Sequence, residues 1–304
     1  MQIPHIPVLL DEVVSAFSGV NGVILDCTLG YAGHSEAILE ANPNAQILGL
    51  DRDDEAINFS QARLRKFGSR VQIQKSKFSD FPKFTQNLEI KGILADIGIS
   101  SLQIDKFERG FSLKSPNLDM RMDLNQEKDA KFVINNYSVD DLARILREFG
   151  EIKNAKFYAD KIAERRKNHP ITSAKEFAEI FGAAKQNGRS VNLATLAFQA
   201  IRIEVNNELG ELEKLLENLE ILSPKGAILA IISFHSLEDR VIKRKFREWQ
   251  RACICPEFAL KCECGGNHEL GSALTKKPIT PTADEIKRNS RSSCAKMRIF
   301  RFKD

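Results

Sequence analysis

The feature that most constrains the fold is the alternation of apolar runs and helical patterns in the first hundred residues. Apolar runs lie at 23–29, 46–51, 71–74 and 92–100, and helix-like or polar stretches separate them. Continuous apolar strands separated by helices are typical of a parallel sheet that is covered on both faces. A further run lies at 227–234. The sequence therefore predicts an α/β fold.

The middle of the chain has a different pattern, because no segment between about residue 106 and residue 192 has the character of a strand. The length of 304 residues would suit roughly two domains of about 150 residues each. We interpret the change of pattern as an all-helical insertion within one α/β domain. The predicted segments are 1–105 and 201–304 for the α/β domain and 106–200 for the insertion, which we expect to recognise the substrate.

Helix-capping patterns support the helices of the insertion. Ser138 has the position of an N-cap, and Ser173 with Glu176 forms a capping-box pattern. Asn192 is predicted to cap a single long helix that runs to about Leu222.

Composition excludes several classes of protein. Hydrophobic residues make up 42% of the chain and charged residues 28%, which is ordinary for a globular protein and unlike a disordered one. No apolar stretch approaches the roughly 18–20 residues that a membrane span needs, and the N-terminus does not resemble a signal peptide. With six cysteines and no export signal, we expect a cytoplasmic protein with free thiols or a metal site rather than disulfides.

A glycine turn and an acidic residue mark a candidate cofactor site. Gly30 follows the first predicted strand, and Asp51 ends the second strand 21 positions later. Doubly wound folds hold an adenosine ribose in this way, because the acid accepts hydrogen bonds from the ribose hydroxyls and glycine lets the backbone approach the ligand. The alternative is that Gly30 and Gly33 are only turn residues and that Asp51 caps the next helix.

The spacing of the glycines favours one class of ligand. A dinucleotide fingerprint would need glycines at three positions that here hold Gly30, Ala32 and Ser35. The loop is therefore poorly suited to a pyrophosphate, and S-adenosylmethionine, which has no phosphate, fits better. This spacing disfavours a nicotinamide-dependent dehydrogenase.

The fourth predicted strand ends at Asp96, at the sheet edge where open α/β folds bind their ligands. Methyl transfer is an in-line displacement, so positioning and charge complementarity should supply most of the catalysis. The lone pair of an exocyclic amine on a pyrimidine is conjugated with the ring, and an acceptor for its N–H bonds would localise that pair. Asp96 and the backbone at 98–100 offer such acceptors, and Ser100 is a further candidate. A simple turn role for Asp96 is the alternative.

His235 follows the strand predicted at 227–234 and should lie at the same edge. It is a candidate to touch the base or to accept a proton, and its alternative role is to cap the next helix. Glu238 is expected in the first turn of that helix, where acids are favoured.

Seven stretches, in order along almost the whole chain, resemble the bacterial 16S ribosomal RNA cytosine-N4 methyltransferase family (RsmH, also called MraW). They are H-I-P-V-L-L-D-E (5–12), D-C-T-L-G-Y-A-G-H-S (26–35), R-G-F-S (109–112), L-D-M-R-M-D (118–123), F-Q-A-I-R-I-E-V-N-N-E-L (198–209), I-I-S-F-H-S-L-E-D-R (231–240) and K-K-P-I-T-P (276–281). Several of these motifs are unusual outside the family.

The resemblance implies a class I (Rossmann-like) S-adenosylmethionine-dependent methyltransferase fold with a helical insertion. It also implies methylation of N4 of a cytosine in the decoding centre of the small ribosomal subunit. Carried over motif by motif, and together with Gly30, it implies the cofactor-binding residues Ala32, Gly33, His34, Asp51, Phe78, Asp96 and Gln103. It does not identify a catalytic base, and Asp96, Ser100 and His235 are the catalytic candidates.

Charge is unevenly distributed along the chain, whose formal net charge is +4. Residues 237–304 hold 16 Lys and Arg against 9 Asp and Glu, a net charge of +7, whereas the remainder has a net charge of −3. This C-terminal segment is therefore the expected phosphate-binding surface, although a solvated helix face is the alternative for any one side chain. The candidates are Lys243, Arg244, Lys245, Arg247, Lys276, Lys277, Arg288 and Arg291. The candidates to hold the reacting base are Phe111, Arg121, Arg202 and Asn206.

Four of the six cysteines are clustered in a C-x-C…C-x-C pattern. They are Cys253, Cys255, Cys262 and Cys264. Four thiolates can bind zinc tetrahedrally and leave no open position, so such a zinc would be structural. The C-x-C spacing is less diagnostic than paired C-x-x-C motifs, and His268 is a weaker candidate ligand. Cys27 and Cys294 lie in predicted strands and are expected to be buried.

The sequence thus predicts a ribosomal RNA (cytosine-N4)-methyltransferase that acts on the small ribosomal subunit. One alternative is a methyltransferase of the same fold that acts on DNA or protein. Another is a catalytically silent cofactor-binding module used in ribosome assembly. The sequence leaves open whether the protein is a monomer or a homodimer.

Overall fold

The described part of the chain contains one mixed sheet of seven strands. The structure is a computed structural model, and it describes residues 6–182, 191–256 and 261–304. The strands are β1 (Gly22–Asp26), β2 (Ala45–Asp51), β3 (Val71–Lys75), β4 (Ile90–Asp96), β5 (Ile228–Ser233), β6 (Gly271–Ala273) and β7 (Lys296–Phe302). Their order is β3–β2–β1–β4–β5–β7–β6. The pairs from β3 to β5 are parallel, and β7 is antiparallel to both of its neighbours.

This strand order, with an antiparallel β7, is that of the class I methyltransferase fold, so the predicted fold class is confirmed. The order reverses between β1 and β4, and open α/β sheets bind ligands outside the carboxyl ends of the strands at such a point. Asp26, Asp51 and Asp96 are the last residues of β1, β2 and β4. Because these strands are parallel, the three acids lie at the same edge of the sheet.

Thirteen α-helices lie in the described residues. They are α1 (Leu10–Ala16), α2 (Gly33–Ala41), α3 (Asp54–Leu64), α4 (Pro82–Thr85), α5 (Ser101–Asp105), α6 (Ala130–Asn136), α7 (Val139–Glu148), α8 (Ala155–Asn168), α9 (Ala174–Glu179), α10 (Leu193–Asn206), α11 (Glu208–Leu222), α12 (Ser236–Trp249) and α13 (Ala283–Arg288). One sheet face packs on α1 and α2, and the other packs on α11 and α12. Strand residues alternate between the faces, so Ile231 and Ile232 lie in different clusters.

The chain divides into two compact units. Unit 1 combines Met1–Gly98 with Gly210–Asp304, and unit 2 is Ile99–Leu209. Unit 1 holds the sheet. Unit 2 has a helical core of its own and no strand among its described residues, as expected for an all-helical insertion. The first boundary expected from the sequence, after residue 105, lies seven residues after the start of unit 2. The second, after residue 200, lies nine residues before its end.

The single long helix predicted from Asn192 is wrong. Asn192 does cap a helix, since its Oδ1 accepts a hydrogen bond from the backbone N–H of Thr195. However, α10 ends at Asn206, and Asn207 adopts the left-handed conformation with φ 50° before α11 begins. Asparagine adopts this conformation more readily than most residues. The apolar spacing continues through both helices, so periodicity gave no sign of the break.

Other local predictions have mixed outcomes. Ser138 caps α7, and Ser173 with Glu176 forms a complete capping box at α9, as predicted. Cys27 is buried as expected, but Cys294 is exposed at the end of a short 3-10 helix, and the prediction for it is wrong. The last strand begins only at residue 296. No helix in the described ranges is long and apolar enough to cross a membrane.

Candidate active site

The loop after β1 holds its backbone in left-handed conformations. Gly30 has φ 50° and Ala32 has φ 58°. Such a conformation costs a non-glycine residue roughly 1–2 kcal/mol, so the surrounding structure must hold Ala32 in place. Gly33 begins α2, and a Cβ atom there would lie 2.3 Å from Cγ of Pro7. Glycine at this position therefore lets the N-terminal segment pack directly against the loop.

Asp51 ties this loop to the end of β2. Its Oδ2 accepts a hydrogen bond from the backbone N–H of Gly30 (2.8 Å), and its Oδ1 accepts one from the N–H of Asp53 (2.9 Å). Asp53, not Asp51, caps α3, because the Asp53 side chain accepts from the N–H of Glu55. Asp51 is therefore not the helix cap that was its alternative role. Burial raises the pKa of Asp51, and each of its oxygens keeps acceptor capacity for a further donor.

His34, in the first turn of α2, lies between the N-terminal segment and Asp96. Its Nε2 is 2.9 Å from the carbonyl oxygen of Val8. Since a carbonyl oxygen only accepts, Nε2 carries the proton and Nδ1 is the acceptor atom of the neutral ring. Nδ1 lies 4.0 Å from Oδ2 of Asp96. A protonated His34 would favour the charged form of Asp96 at this distance.

The backbone of Asp96 is fixed from both sides. Its N–H donates to Oγ1 of Thr28 (2.7 Å), and the N–H of Ile97 donates to the carbonyl oxygen of Ile232 (3.0 Å). The Asp96 side chain is 25% exposed, but its Oδ1 is buried and has no hydrogen-bond partner among the described residues. Burial raises the pKa of Asp96 to about 7. The structure thus anchors the backbone at the end of β4 and places a buried acceptor there.

Asp26, the last residue of β1, is a member of this cluster that the sequence analysis did not identify. Its Oδ2 accepts from Oγ of Ser35 (2.6 Å), and its Oδ1 accepts from the N–H of Thr28 (3.2 Å). Burial raises the pKa of Asp26 to about 6. The charges of Asp26 and Glu238 add to the effect of burial on Asp96. Asp26 could have been identified from the sequence, because it is an acidic residue at the end of an apolar run, which is the signal that identified Asp96.

His235 and Glu238 form a reciprocal cap on α12. Nδ1 of His235 accepts from the N–H of Glu238 (3.4 Å), and Oε2 of Glu238 accepts from the N–H of His235 (3.2 Å). The acceptor role of Nδ1 places the proton of the neutral ring on Nε2. Nε2 is buried 3.0 Å from Oε1 of Glu238, but the angle gives no hydrogen bond. The capping role is confirmed for both residues, and a catalytic role for His235 stays a prediction.

Ser100 and Gln103 lie in unit 2 and bond to each other. The N–H of Ser100 donates to Oε1 of Gln103 (3.1 Å), and the N–H of Gln103 donates to Oγ of Ser100 (3.2 Å). This is the pattern of a capped helix start, here at α5. Phe78 follows β3 in unit 1 and packs half-buried against the sheet core. The catalytic role of Ser100 and the cofactor contacts of Gln103 and Phe78 stay predictions.

Two arginines that were predicted to hold the base are paired within unit 2. Arg121 donates from Nε and Nη2 to the two carboxylate oxygens of Asp119, at 2.9 and 2.8 Å. Arg202 donates in the same way to Glu208, at 2.8 and 3.0 Å. Such two-pronged pairs fix the direction of both side chains. Both arginines therefore have a structural role, whatever else they contact.

Asn206, the third polar candidate in unit 2, is buried and joins α10 to the loop before α6. Its Oδ1 accepts from the N–H of Met122 (2.8 Å), and its Nδ2 donates to the carbonyl oxygen of Met120 (2.8 Å). Met120 has φ 60°, so this bond also helps to hold a strained backbone. Phe111 packs partly buried against the core of unit 2.

The clustered cysteines come together in unit 1. The Sγ atoms of Cys253, Cys255, Cys262 and Cys264 lie within 4.8 Å of one another, which makes them a candidate metal centre. His268 is not part of it, since its Nε2 lies 3.0 Å from the backbone carbonyl oxygen of Cys264.

Comparisons with known proteins show the family. The MraW methylase family matches residues 2–303. "Ribosomal RNA small subunit methyltransferase H" of Campylobacter fetus subsp. fetus is 56% identical over 301 residues, which cover 99% of this chain and 98% of that protein. The protein of the same name from Campylobacter hominis is 56% identical over 309 residues and the full length of both chains.

One solved structure, an rRNA methylase from Streptococcus thermophilus, is similar over the full length of both chains with a TM-score of 0.39 and 10% identity. The family match and the close relatives confirm that the chain is a methyltransferase, as its sequence predicts. Since the match extends over almost every residue, the chain belongs to the MraW methylase family.

Proposed function

We propose that this chain is an S-adenosylmethionine-dependent 16S ribosomal RNA (cytosine-N4)-methyltransferase that modifies a decoding-centre cytosine of the small ribosomal subunit. The relatives named above act, by their names, on small-subunit ribosomal RNA. The observation that carries the proposal is Oδ1 of Asp96, a buried acceptor with no partner in the described residues. An exocyclic amine supplies the donor that this oxygen lacks. A ribosomal substrate places the reaction in the cytoplasm.

The acids of unit 1 fit a ligand that is both a nucleoside and a cation. S-adenosylmethionine supplies a methyl group on a positively charged sulfur. Asp51 presents a carboxylate, already oriented by two backbone N–H groups, to ribose hydroxyls. A cation nearby favours the charged forms of Asp26 and Asp96, which burial otherwise disfavours. The residues proposed to hold the cofactor are Gly30, Ala32, Gly33, His34, Asp51, Phe78, Asp96 and Gln103.

In this mechanism Asp96 orients the amine and takes its proton. Ionised Oδ1 accepts an N–H bond from N4, which directs the nitrogen lone pair toward the methyl carbon. N4 must lose one proton as the new N–C bond forms and the S–C bond breaks. A carboxylate whose pKa is about 7 can hold that proton near neutral pH. Thr28 and Ile232 anchor the backbone of the strand end that carries this carboxylate.

His235 and Ser100 are proposed for supporting contacts with the base. The Nε2–H of His235 has no hydrogen-bond partner in the described part of the chain, and the carbonyl oxygen or ring nitrogen of cytosine would accept from it. Use of Nδ1 as a base would break the cap on α12, so we propose His235 as a donor. Ser100 accepts from Gln103 through its oxygen, which leaves its hydroxyl hydrogen for a substrate acceptor.

The C-terminal segment is the proposed surface for RNA phosphates. Seven of its eight candidate side chains are exposed, and Lys245 is half-buried; the exposed ones are Lys243, Arg244, Arg247, Lys276, Lys277, Arg288 and Arg291. Lys245 instead pairs with Glu220 and lies 3.5 Å from Glu248, and Arg244 lies 3.6 Å from Glu213. An exposed lysine or arginine that binds a phosphate releases counterions from the RNA, and this release increases the affinity of the protein for RNA. A side chain that is already paired with a carboxylate contributes less in this way.

Loss of the gene provides the test. The 16S RNA of a deletion strain is digested and examined by mass spectrometry, and N4-methylation in the decoding centre should disappear and return with a plasmid copy of the wild-type gene. Unchanged methylation would refute the proposal. Label transferred by the purified protein to DNA or to protein, but not to small subunits, would favour the alternative substrates. If a plasmid copy that carries Asp96→Asn restores N4-methylation as completely as the wild-type gene does, the catalytically silent module is favoured.

A further inference from the structure

The loop between α12 and β6 brings four sulfur atoms together outside the cluster of acids at the strand ends. The Sγ of Cys253 lies 3.6 Å from that of Cys262 and 3.7 Å from that of Cys264. Cys262 and Cys264 are also 3.6 Å apart. All four Sγ atoms, that of Cys255 included, lie within 4.8 Å of one another.

These distances fit a metal better than disulfides. A disulfide needs sulfur atoms about 2.05 Å apart, and all four cysteines are free thiols. Four sulfurs arranged tetrahedrally around zinc at about 2.3 Å are separated from each other by about 3.8 Å. The three pairs of sulfur atoms measured above are 3.6–3.7 Å apart, close to this value.

The backbone around the sulfurs is arranged to donate to them. The N–H of Glu263 donates to Sγ of Cys255 at 3.3 Å. The N–H groups of Ile254 and Gly266 donate to Sγ of Cys264. Donors aimed at sulfur stabilise thiolates, the form in which cysteine binds a metal. Gly265 and Gly266, with φ 79° and 72°, make the turn that directs this backbone toward the sulfur.

We propose that Cys253, Cys255, Cys262 and Cys264 bind one zinc ion as four thiolates. Each bound thiol releases a proton, and neither sulfur nor metal changes its oxidation state. Four sulfur ligands leave no open position, so the ion is structural and takes no part in methyl transfer. It would join the two arms of the loop, whose base is closed by backbone hydrogen bonds from His268 to Ala252 and from Leu270 to Trp249.

The test measures metal content in the full-length protein, purified under reducing conditions from cells grown with added zinc. Elemental analysis should give about one zinc per chain for wild type and about one-tenth of that or less for Cys253→Ser/Cys262→Ser, since two lost ligands leave too few for tight binding. The matched control is Cys294→Ser, which removes an exposed thiol outside the cluster and should keep the zinc. A double variant that keeps a full complement of zinc overturns the proposal.

Thiol reactivity gives a second readout that needs no variant. In native wild-type protein, a chelator should add four reactive thiols to that of the exposed Cys294, while the buried Cys27 stays protected. The proposal is overturned if all four cluster thiols react before chelation and the protein takes up neither added zinc nor added cobalt. It is also overturned if the metal that copurifies is iron.

Discussion

The strand ends of unit 1 and the loop before α6 in unit 2 both carry polar motif residues, but their hydrogen bonds are arranged in opposite ways. Oδ1 of Asp96 is buried without a partner in the described residues. Asn206 bonds to Met120, Met122 and the carbonyl oxygen of Arg202. A buried polar atom left unpaired costs about 1–3 kcal/mol, so a chain keeps one mainly where a ligand completes it. Asp96 in unit 1 thus points to chemistry, and Asn206 in unit 2 points to architecture.

The largest effect expected to sharpen this contrast is a loss of turnover in the Asp96→Asn variant. The amide keeps the shape of the side chain but cannot take the proton of N4. We expect kcat on small ribosomal subunits to fall by about a thousandfold, as for other lost acid–base groups. The measurement is transfer of labelled methyl groups at saturating substrate.

The control for this substitution is Asp284→Asn, which changes an exposed acid at the start of α13 and should leave kcat unchanged. A fall of less than about threefold for Asp96→Asn, in a protein that still folds, would contradict the role given to Asp96.

The next effect concerns the stability of unit 2. Asn206→Ala removes the acceptor of the Met122 N–H and the donor to Met120, both buried. We expect the free energy of unfolding of unit 2 to fall by about 3 kcal/mol, measured by denaturant titration with a probe in that unit. Binding of S-adenosylmethionine, measured by calorimetry, should change little.

The matched control is Asn136→Ala, an exposed asparagine whose side chain donates to the carbonyl oxygen of Phe132 in its own helix, with an expected cost below about 0.5 kcal/mol. If Asn206→Ala were as mild as this control, while cofactor binding or turnover collapsed, then Asn206 would belong to the chemistry after all.

The smallest expected effect is a gain in the stability of the Asp96→Asn variant relative to wild type, and the size of this gain depends on pH. The pKa of Asp96 is raised to about 7 in the folded protein, against an ordinary value of 3.8. The folded state therefore binds this proton more tightly than the unfolded state, and the contribution of Asp96 to the stability of wild type falls as pH rises from about 4 to about 7. Asp96→Asn cannot ionise, so at pH 8 it should be more stable than wild type by on the order of 2 kcal/mol. Unfolding of both proteins at pH 4.5 and pH 8 measures this, and an advantage that is larger at pH 4.5 would contradict it.

Much of unit 1 could be predicted from the sequence because buried parallel strands are continuous apolar runs. The carboxyl ends of such strands meet at one edge, so the sequence alone predicts that Gly30, Asp51 and Asp96 lie together. The same rule would have included Asp26, which also ends an apolar run. Its burial and its bond to Ser35 depend on packing that residue type alone does not reveal.

The features that the sequence did not reveal depend on single backbone conformations or on distant partners. The break at Asn207 is one left-handed residue inside an uninterrupted apolar pattern. β6 is three residues long, too short for any periodicity, and exists because β7 offers it an edge. The carboxylates that hold Arg121 and Arg202 lie only two and six residues away, but such pairs look the same in a sequence as charges turned toward a ligand.

The divided sheet has a consequence for biosynthesis. β4 pairs with β5, and the segment that separates them contains the whole of unit 2. A ribosome that adds about 5–20 residues per second needs about 5–20 s to make the chain that follows residue 209. Unit 2 can fold during that time. The apolar faces of β1 and β4 that pack on α11 and α12 stay uncovered in the nascent chain until those helices have been made. The interval exposes surface that invites aggregation, so we expect the yield of folded enzyme to depend on chaperones that protect half-made sheets.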